Sequence, residues 1–260
     1  MTDSDAIDRW VRHAARNNAE WCDAVCRAHG RPGRFGATAW TNARRTPPLY
    51  PDAVTLDPAA TASEVLAGVD VTSPGCSVKD SFGRLDLTAA GFEVLFEARW
   101  IVRDGHDPAT PAADGTPAAD VRWAPVRDAA DLDAWQSAWA GGSGAGGPFR
   151  AELLERDDVV VLGGRRDGRI VAGAVANLSG DGAVVGVSNV FGDALGLDAA
   201  WSGVVAAVSR HFPGVAMVGY ERGGDLRAAL RHGWRAVGPL RVWLRDTPAD
   251  GTVTDVMRDS

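Results

Sequence analysis

Gly182-Ala-Val-Val-Gly-Val-Ser-Asn-Val-Phe191, then Gly192-Asp-Ala-Leu-Gly196, then Leu197-Asp-Ala-Ala-Trp-Ser-Gly-Val-Val-Ala-Ala-Val-Ser-Arg-His211 is the stretch whose reading decides the fold. The first segment is apolar and rich in β-branched residues, and the turn Ser179-Gly-Asp-Gly182 bounds it, which is the pattern of a buried strand. The second is a glycine loop. In the third, Trp201, Val204, Val205, Val208 and Phe212 recur every three or four residues, so one face of a helix is buried. Asp198 is the expected cap and Pro213 the stop. Val215–Tyr220 reads as a second strand and Asp225–Arg231 as a short helix ended by Gly233-Trp234. Ala236–Leu244 reads as a last strand. Strand, loop, helix, strand is the order of a parallel crossover. A glycine loop entering a helix N-terminus offers free N–H groups and a positive dipole end to an anion, although the same Gly-x-x-x-Gly spacing also serves plain turns.

The neighbouring segments extend the pattern. Trp123-Ala-Pro-Val-Arg-Asp128 reads as a strand, Asp131–Trp139 as a helix, and 159–162 with Arg169–Leu178 as a hairpin across Arg165-Arg-Asp-Gly168. Tyr220-Glu-Arg-Gly-Gly-Asp-Leu-Arg-Ala-Ala-Leu-Arg-His-Gly-Trp234 is a late helix closing on Gly-aromatic. In this order and spacing, the chain from Val121 onward resembles the GNAT acetyltransferase family of acyl-CoA-dependent N-acyltransferases. The resemblance covers about half the chain. It implies an α/β (α+β) fold, with a mixed, mostly antiparallel sheet flanked by helices. Two departures stand out. The family's Arg/Gln-x-x-Gly-x-Gly/Ala pyrophosphate loop is absent, leaving only Gly192 and Gly196. The family's late-helix tyrosine, which protonates the leaving thiolate, falls on Ala229.

The resemblance also implies a chemistry: an acetyl group moved from acetyl-CoA to a small amine or a peptide amine. The strand ending at Phe191 would splay from its neighbour and admit the pantetheine arm, with backbone N–H groups near Ser188, Asn189 and Val190 facing the thioester. Phe191, Gly192, Ala194, Leu195, Gly196 and Leu197 would line the cofactor, the pyrophosphate lying on the loop and helix N-terminus. Asp193 would oppose it if turned inward. The expected base is Glu221, at the C-terminal end of a central strand, where sites in α/β sheets gather. Tyr220 or Ser188 would substitute for the missing acid. The same residues read equally as a solvated carboxylate and a packed aromatic. The competing reading is a catalytically inactive binding or assembly module, for which ten tryptophans supply interface or pocket material.

Composition limits the partners. The chain has 260 residues, 45% apolar, and a net charge of −7. There is no basic tract, so nucleic acid is not an expected partner. There is no apolar run of about 18 residues, so no membrane helix is expected. The acidic start, Met-Thr-Asp-Ser-Asp-Ala-Ile-Asp8, lacks a basic and apolar leader, and three cysteines do not make a disulfide framework; both point to a cytoplasmic protein.

Residues 1–104 read as an N-terminal domain. Ser4–His29 is an amphipathic helix with Ser4 as its expected cap, an apolar face of Trp10, Ala14, Trp21, Ala24 and Val25, and a stop at Gly30. Cys22 and Cys26, one turn apart near His13 and His29, match no standard zinc spacing and read as buried thiols. A strand within Gly33–Thr41, an extended loop over Arg45–Pro51, a helix over Thr61–Val69, a strand end and helix within Ser77–Ala90, and a strand over Phe92–Val102 follow. Gly91-Phe92 leading to Trp-Ile-Val-Arg-Asp104 echoes Gly233-Trp234 leading to Trp-Leu-Arg-Asp246. Either the two halves are pseudo-repeated, the first a degraded GNAT-like copy, or two apolar strands are alike by chance. Residues 105–120 are a Pro/Ala/Gly/Asp linker, 121–246 the acyltransferase-like domain, and 247–260 a tail. Gly141–Gly147 reads as a surface loop or a lid over the acceptor.

Overall fold

The computed structural model describes residues 3–107, 120–142, 147–192 and 195–246. The chain divides into two compact units, one of residues 3–99 and 238–246, the other of Trp100–Val237. Among the described residues no helix is long and apolar enough to cross a membrane.

The first unit opens on α1 (Asp3–Ala28). The helix begins at Asp3, ahead of the expected cap. Ala14, Trp21, Cys22, Val25 and Cys26 on its apolar face are buried. Burial pushes the Cys22 thiol up to about 11 and the Cys26 thiol up to about 12, so both behave as packed apolar groups. Three short strands follow: β1 (Arg34–Phe35), β2 (Ala39–Thr41) and β3 (Ala53–Thr55). Then come α2 (Ala62–Leu66), β4 (Cys76–Asp80) and β5 (Glu93–Arg103). Thr61 caps α2 through a capping box with Glu64. The helix expected over Ser77–Ala90 is only a 3₁₀ turn over Thr88–Ala90, because Asp80 turns the chain by accepting from Leu85 N at 2.8 Å. β2 pairs antiparallel with β1 and β3, and β3 pairs parallel with β4.

The second unit runs β6 (Arg122–Pro125), α3 (Ala129–Trp139), β7 (Val159–Arg166), β8 (Arg169–Leu178), β9 (Val184–Phe191), α4 (Leu197–His211), β10 (Ala216–Glu221), α5 (Gly223–Arg231) and β11 (Arg235–Arg245). Asp128 caps α3 by accepting from Asp131 N at 2.8 Å. The β7–β8 hairpin turns at Asp167 and Gly168, both at positive φ, the geometry whose twist matches two antiparallel strands. The sheet order here is β10-β9-β8-β7-β6; every pair is antiparallel except β9–β10, which is parallel. The crossover read from the sequence is therefore present, and the sheet is mixed and mostly antiparallel. Residue 238 onward of β11 belongs to the first unit, where β11 pairs antiparallel with β4.

Two faces of the second sheet are covered by different helices. Trp201, Val204, Val205 and Val208 of α4 pack on Ala174, Ala176, Val185, Val187 and Met217, joined by Ala228, Ala229 and Trp234. Each such side chain withdrawn from water contributes roughly 1.5–3 kcal/mol, which fixes α4 against β9. On the other face Trp135 of α3 donates to Leu162 O at 2.9 Å and meets Phe191 edge-on at 5.1 Å.

Two stretches of the chain share one order of elements. Helix, antiparallel hairpin, antiparallel third strand, crossover helix, parallel fourth strand, helical turn ending in a left-handed glycine and an aromatic, then a strand of 11 residues describes both α1-to-β5 and α3-to-β11. Gly91 (φ 79) precedes Phe92 and Gly233 (φ 81) precedes Trp234.

Candidate functional site

The candidate site lies where β9 and β10 end. Their parallel register runs Ala216↔Val184, Met217↔Val185, Val218↔Gly186 and goes no further, although β9 continues to Phe191 and β10 to Glu221. On its other side β9 pairs Val175↔Ser188 but Gly173↔Phe191, so three steps on β9 oppose two on β8. The extra residue is a bulge at Asn189, whose φ is 54. A non-glycine residue in this region is uncommon and marks a backbone held by its surroundings. The bulge leaves Asn189 and Val190 out of register with β8. Ser188 Oγ donates to Asn189 Oδ1 at 3.0 Å.

Gly192 follows, buried, because a Cβ there would lie 2.5 Å from Ala200 Cβ of α4. Its glycine is demanded by helix packing. Leu195 N donates to Gly192 O at 2.8 Å, closing the loop. Ala194 and Asp193 lie outside the described residues. Gly196 is the N-cap of α4, at φ 80 and ψ 146, and among the described residues no side chain caps the helix. Asp198, expected in that role, sits in the first turn instead. Ala200 N makes the first helical bond, to Gly196 O at 3.1 Å, so the N–H groups of Leu197, Asp198 and Ala199 have no intrahelical acceptor. The N-terminus of α5 is close by: a Cβ on Gly224 would lie 3.8 Å from Leu197 Cδ1.

Glu221 ends β10, half-buried. Desolvation drives its carboxyl well above the usual carboxylate range, Asp225 adds repulsion, and Arg222 partly opposes them. Met217 packs toward α4, and alternation along the strand puts Glu221 on that face and Tyr220 on the opposite one. Tyr220 meets Trp100 edge-on at 5.6 Å. By the register, Ser188 and Phe191 lie on the α3 face, since they oppose Val175 and Gly173, and Gly173 abuts Trp135. The structure thus gathers Ser188, Asn189, Val190, Phe191, Gly192, Leu195, Gly196, Leu197 and Glu221 around one strand end, and splits Tyr220 from Glu221 by a strand face. Ala229, where the resemblance expects a tyrosine, is fully buried under α4.

The sequence reading missed three parts of this site. The bulge carries no glycine signal. Arg231 and His232 stand at the end of the short helix in the sequence with nothing to mark a distant partner, yet both hold Asp198. Gly219 is approached by Val187 O, 2.8 Å from where its Cβ would be; a glycine inside a strand is the signal of such an approach.

No protein-family model matches the sequence, and no curated protein matches it. Solved structures do. A GCN5-related N-acetyltransferase from Kribbella flavida superposes with a TM-score of 0.58 at 16% identity, over 91% of this chain and 96% of that one. A structure described as a GNAT-family acetyltransferase from Novosphingobium aromaticivorans gives 0.52 at 14%, over 87% and 99%. The chain has the GNAT fold. A Drosophila protein gives 0.53 at 14%, over 95% and 97%, so the likeness takes in both units. At these identities what is shared is the fold alone.

Proposed function

We propose that this protein is an acyl-CoA-dependent N-acyltransferase that moves an acetyl group from acetyl-CoA to a small amine or a peptide amine. The observation that carries the reading is Glu221. A carboxyl raised well above the usual carboxylate range by desolvation, at the C-terminal end of β10, has the place of a general base. Three features fit acetyl-CoA: the free amides of Leu197 to Ala199, the strands whose pairing stops at Gly186 and Val218, and the bulge at Asn189.

Acetyl-CoA, when bound, supplies the acetyl group as a thioester. Glu221 takes the proton from the acceptor's ammonium, leaving a neutral nucleophile. Peptide N–H groups of residues 188–190 polarise the acyl carbonyl, a fixed donor arrangement that needs no reorganisation. Ser188 or Tyr220 gives the thiolate its proton in place of the side chain missing at Ala229. The acidic surface, −7 overall, favours cationic acceptors. Free, buried Cys22, Cys26 and Cys76 suit the reducing cytoplasm.

The test is turnover of acetyl-CoA with a panel of amines, read as thiol release, for wild type and Glu221→Gln. The expected outcome is a fall of about 10²–10⁴-fold in kcat with CoA binding kept. Alanine at 229 favours a second reading, a non-catalytic binding module. CoA binding without turnover of any amine, equal in both proteins, would establish that reading.

A further inference from the structure

We infer that Arg231 and His232 are positioning residues, holding the Asp198 carboxylate off the α4 amides, with Arg231 also neutralising it, so that the helix N-terminus stays open to a ligand anion. The inference rests on the acyl-CoA reading. Asp198 is the second residue of α4, where a carboxylate is attracted to the helix's own N–H groups and would occupy the place of a phosphate. Both its oxygens are engaged elsewhere. Arg231 donates Nε to Oδ1 and Nη2 to Oδ2, each at 2.8 Å, a two-point fork. His232 Nε2 lies 3.3 Å from Oδ1. The Arg231 fork holds the Asp198 carboxyl below the usual carboxylate range.

His232 is 2% exposed and its Nδ1 is buried without a partner among the described residues. A carboxylate only accepts, so the hydrogen bond to Asp198 requires a proton on Nε2. The residue is fixed from its backbone as well. Buried Arg103 donates Nε to His232 O at 3.2 Å, and also reaches Asp104 O and Asp107 O. The left-handed Gly233 and the bond from Trp234 N to Ala229 O at 3.3 Å set the end of α5. His232 is therefore in place before any ligand arrives. The groups facing His232 are Asp198 on α4, Arg231 on α5 and Arg103 on β5.

Calorimetric titration of CoA into the full chain tests this in wild type, Arg231→Met, Arg231→Lys, Asp198→Asn and the double variant Arg231→Met/Asp198→Asn. Arg231→Met frees an uncompensated carboxylate beside the subsite and weakens binding roughly five- to tenfold. Arg231→Lys keeps the charge without the fork and falls between. Asp198→Asn alone stays within about twofold of wild type, and added to Arg231→Met it restores binding to that level. Arg231→Met binding as wild type, or a double variant as weak as the single one, overturns the inference while leaving the acyl-CoA reading intact. Wild type that binds no CoA overturns both. Nitrogen-15 NMR of His232 gives an independent readout: a proton on Nε2 is expected, and one on Nδ1 refutes the arrangement.

Discussion

Gly192→Ala probes the packing that places the helix N-terminus at the strand end. The added Cβ would lie 2.5 Å from Ala200 Cβ, 3.4 Å from Ala172 Cβ and 3.6 Å from Ala200 Cα. Carbon atoms rest at about 3.5–4.0 Å, so α4 must retreat by roughly 1–1.5 Å, and no flexible side chain is there to yield. Such overpacking costs about 1–3 kcal/mol. For a unit of this size that lowers the melting temperature by roughly 5–10 °C. The retreat also pulls Leu197 to Ala199 from the strand end, so CoA binding weakens. Ala200→Gly removes the opposing methyl at about 1 kcal/mol in helix propensity. Combined with Gly192→Ala it relieves the clash, and the pair should be more stable than the sum of the two single effects by about 1 kcal/mol or more. Thermal melts by circular dichroism of the four proteins measure this. An unchanged melting temperature for Gly192→Ala, or strict additivity, would show that α4 does not bear on Gly192 as described.

Glu221 is held above the usual carboxylate range in the fold, so the folded protein keeps its proton to higher pH than the unfolded chain does. Its stabilisation is full below the unfolded carboxylate range and is lost as pH rises through the folded value, so wild type should melt progressively lower than Glu221→Gln as pH rises above the unfolded carboxylate value of about 4.3. A pH-independent difference would contradict the assignment. Gly196→Ala meets no atom within 4 Å but forces a side chain onto φ 80, ψ 146, and should cost about 1–3 kcal/mol in thermal stability. In the first unit the buried Asp52 carboxylate accepts from Thr46 N (3.0 Å), Ser77 N (2.9 Å) and Arg45. Asp52→Ala should cost about 3–5 kcal/mol in denaturant unfolding, a charge being left without its partner.

How much of this was legible follows from which forces are local. The run from Gly182 to His211 carries its own periodicities, so β9, α4 and their crossover could be read directly, as could the Gly233-Trp234 stop. The parallel β9–β10 pairing follows from them, whereas the mostly antiparallel sheet was implied by the family resemblance. Short strands could not be read so well: β3 is three residues inside a loop-like stretch and forms because β2 and β4 flank it. The site divides in the same way. Glu221 could be chosen from its place after an apolar strand, but its displaced proton affinity arises from burial and from Asp225. The bulge at Asn189 exists only against β8. Gly192 looked like part of a phosphate loop, yet its reason is Ala200. Asp198 looked like a cap because its true partners are 33 and 34 residues away along the chain.

Titration of acetyl-CoA into the purified wild-type chain by isothermal calorimetry tests the central claim most directly. The account predicts saturable, one-site binding, weakened by rising salt because the subsite holds its anion through helix amides. No heat and no thermal shift at millimolar acetyl-CoA would contradict it.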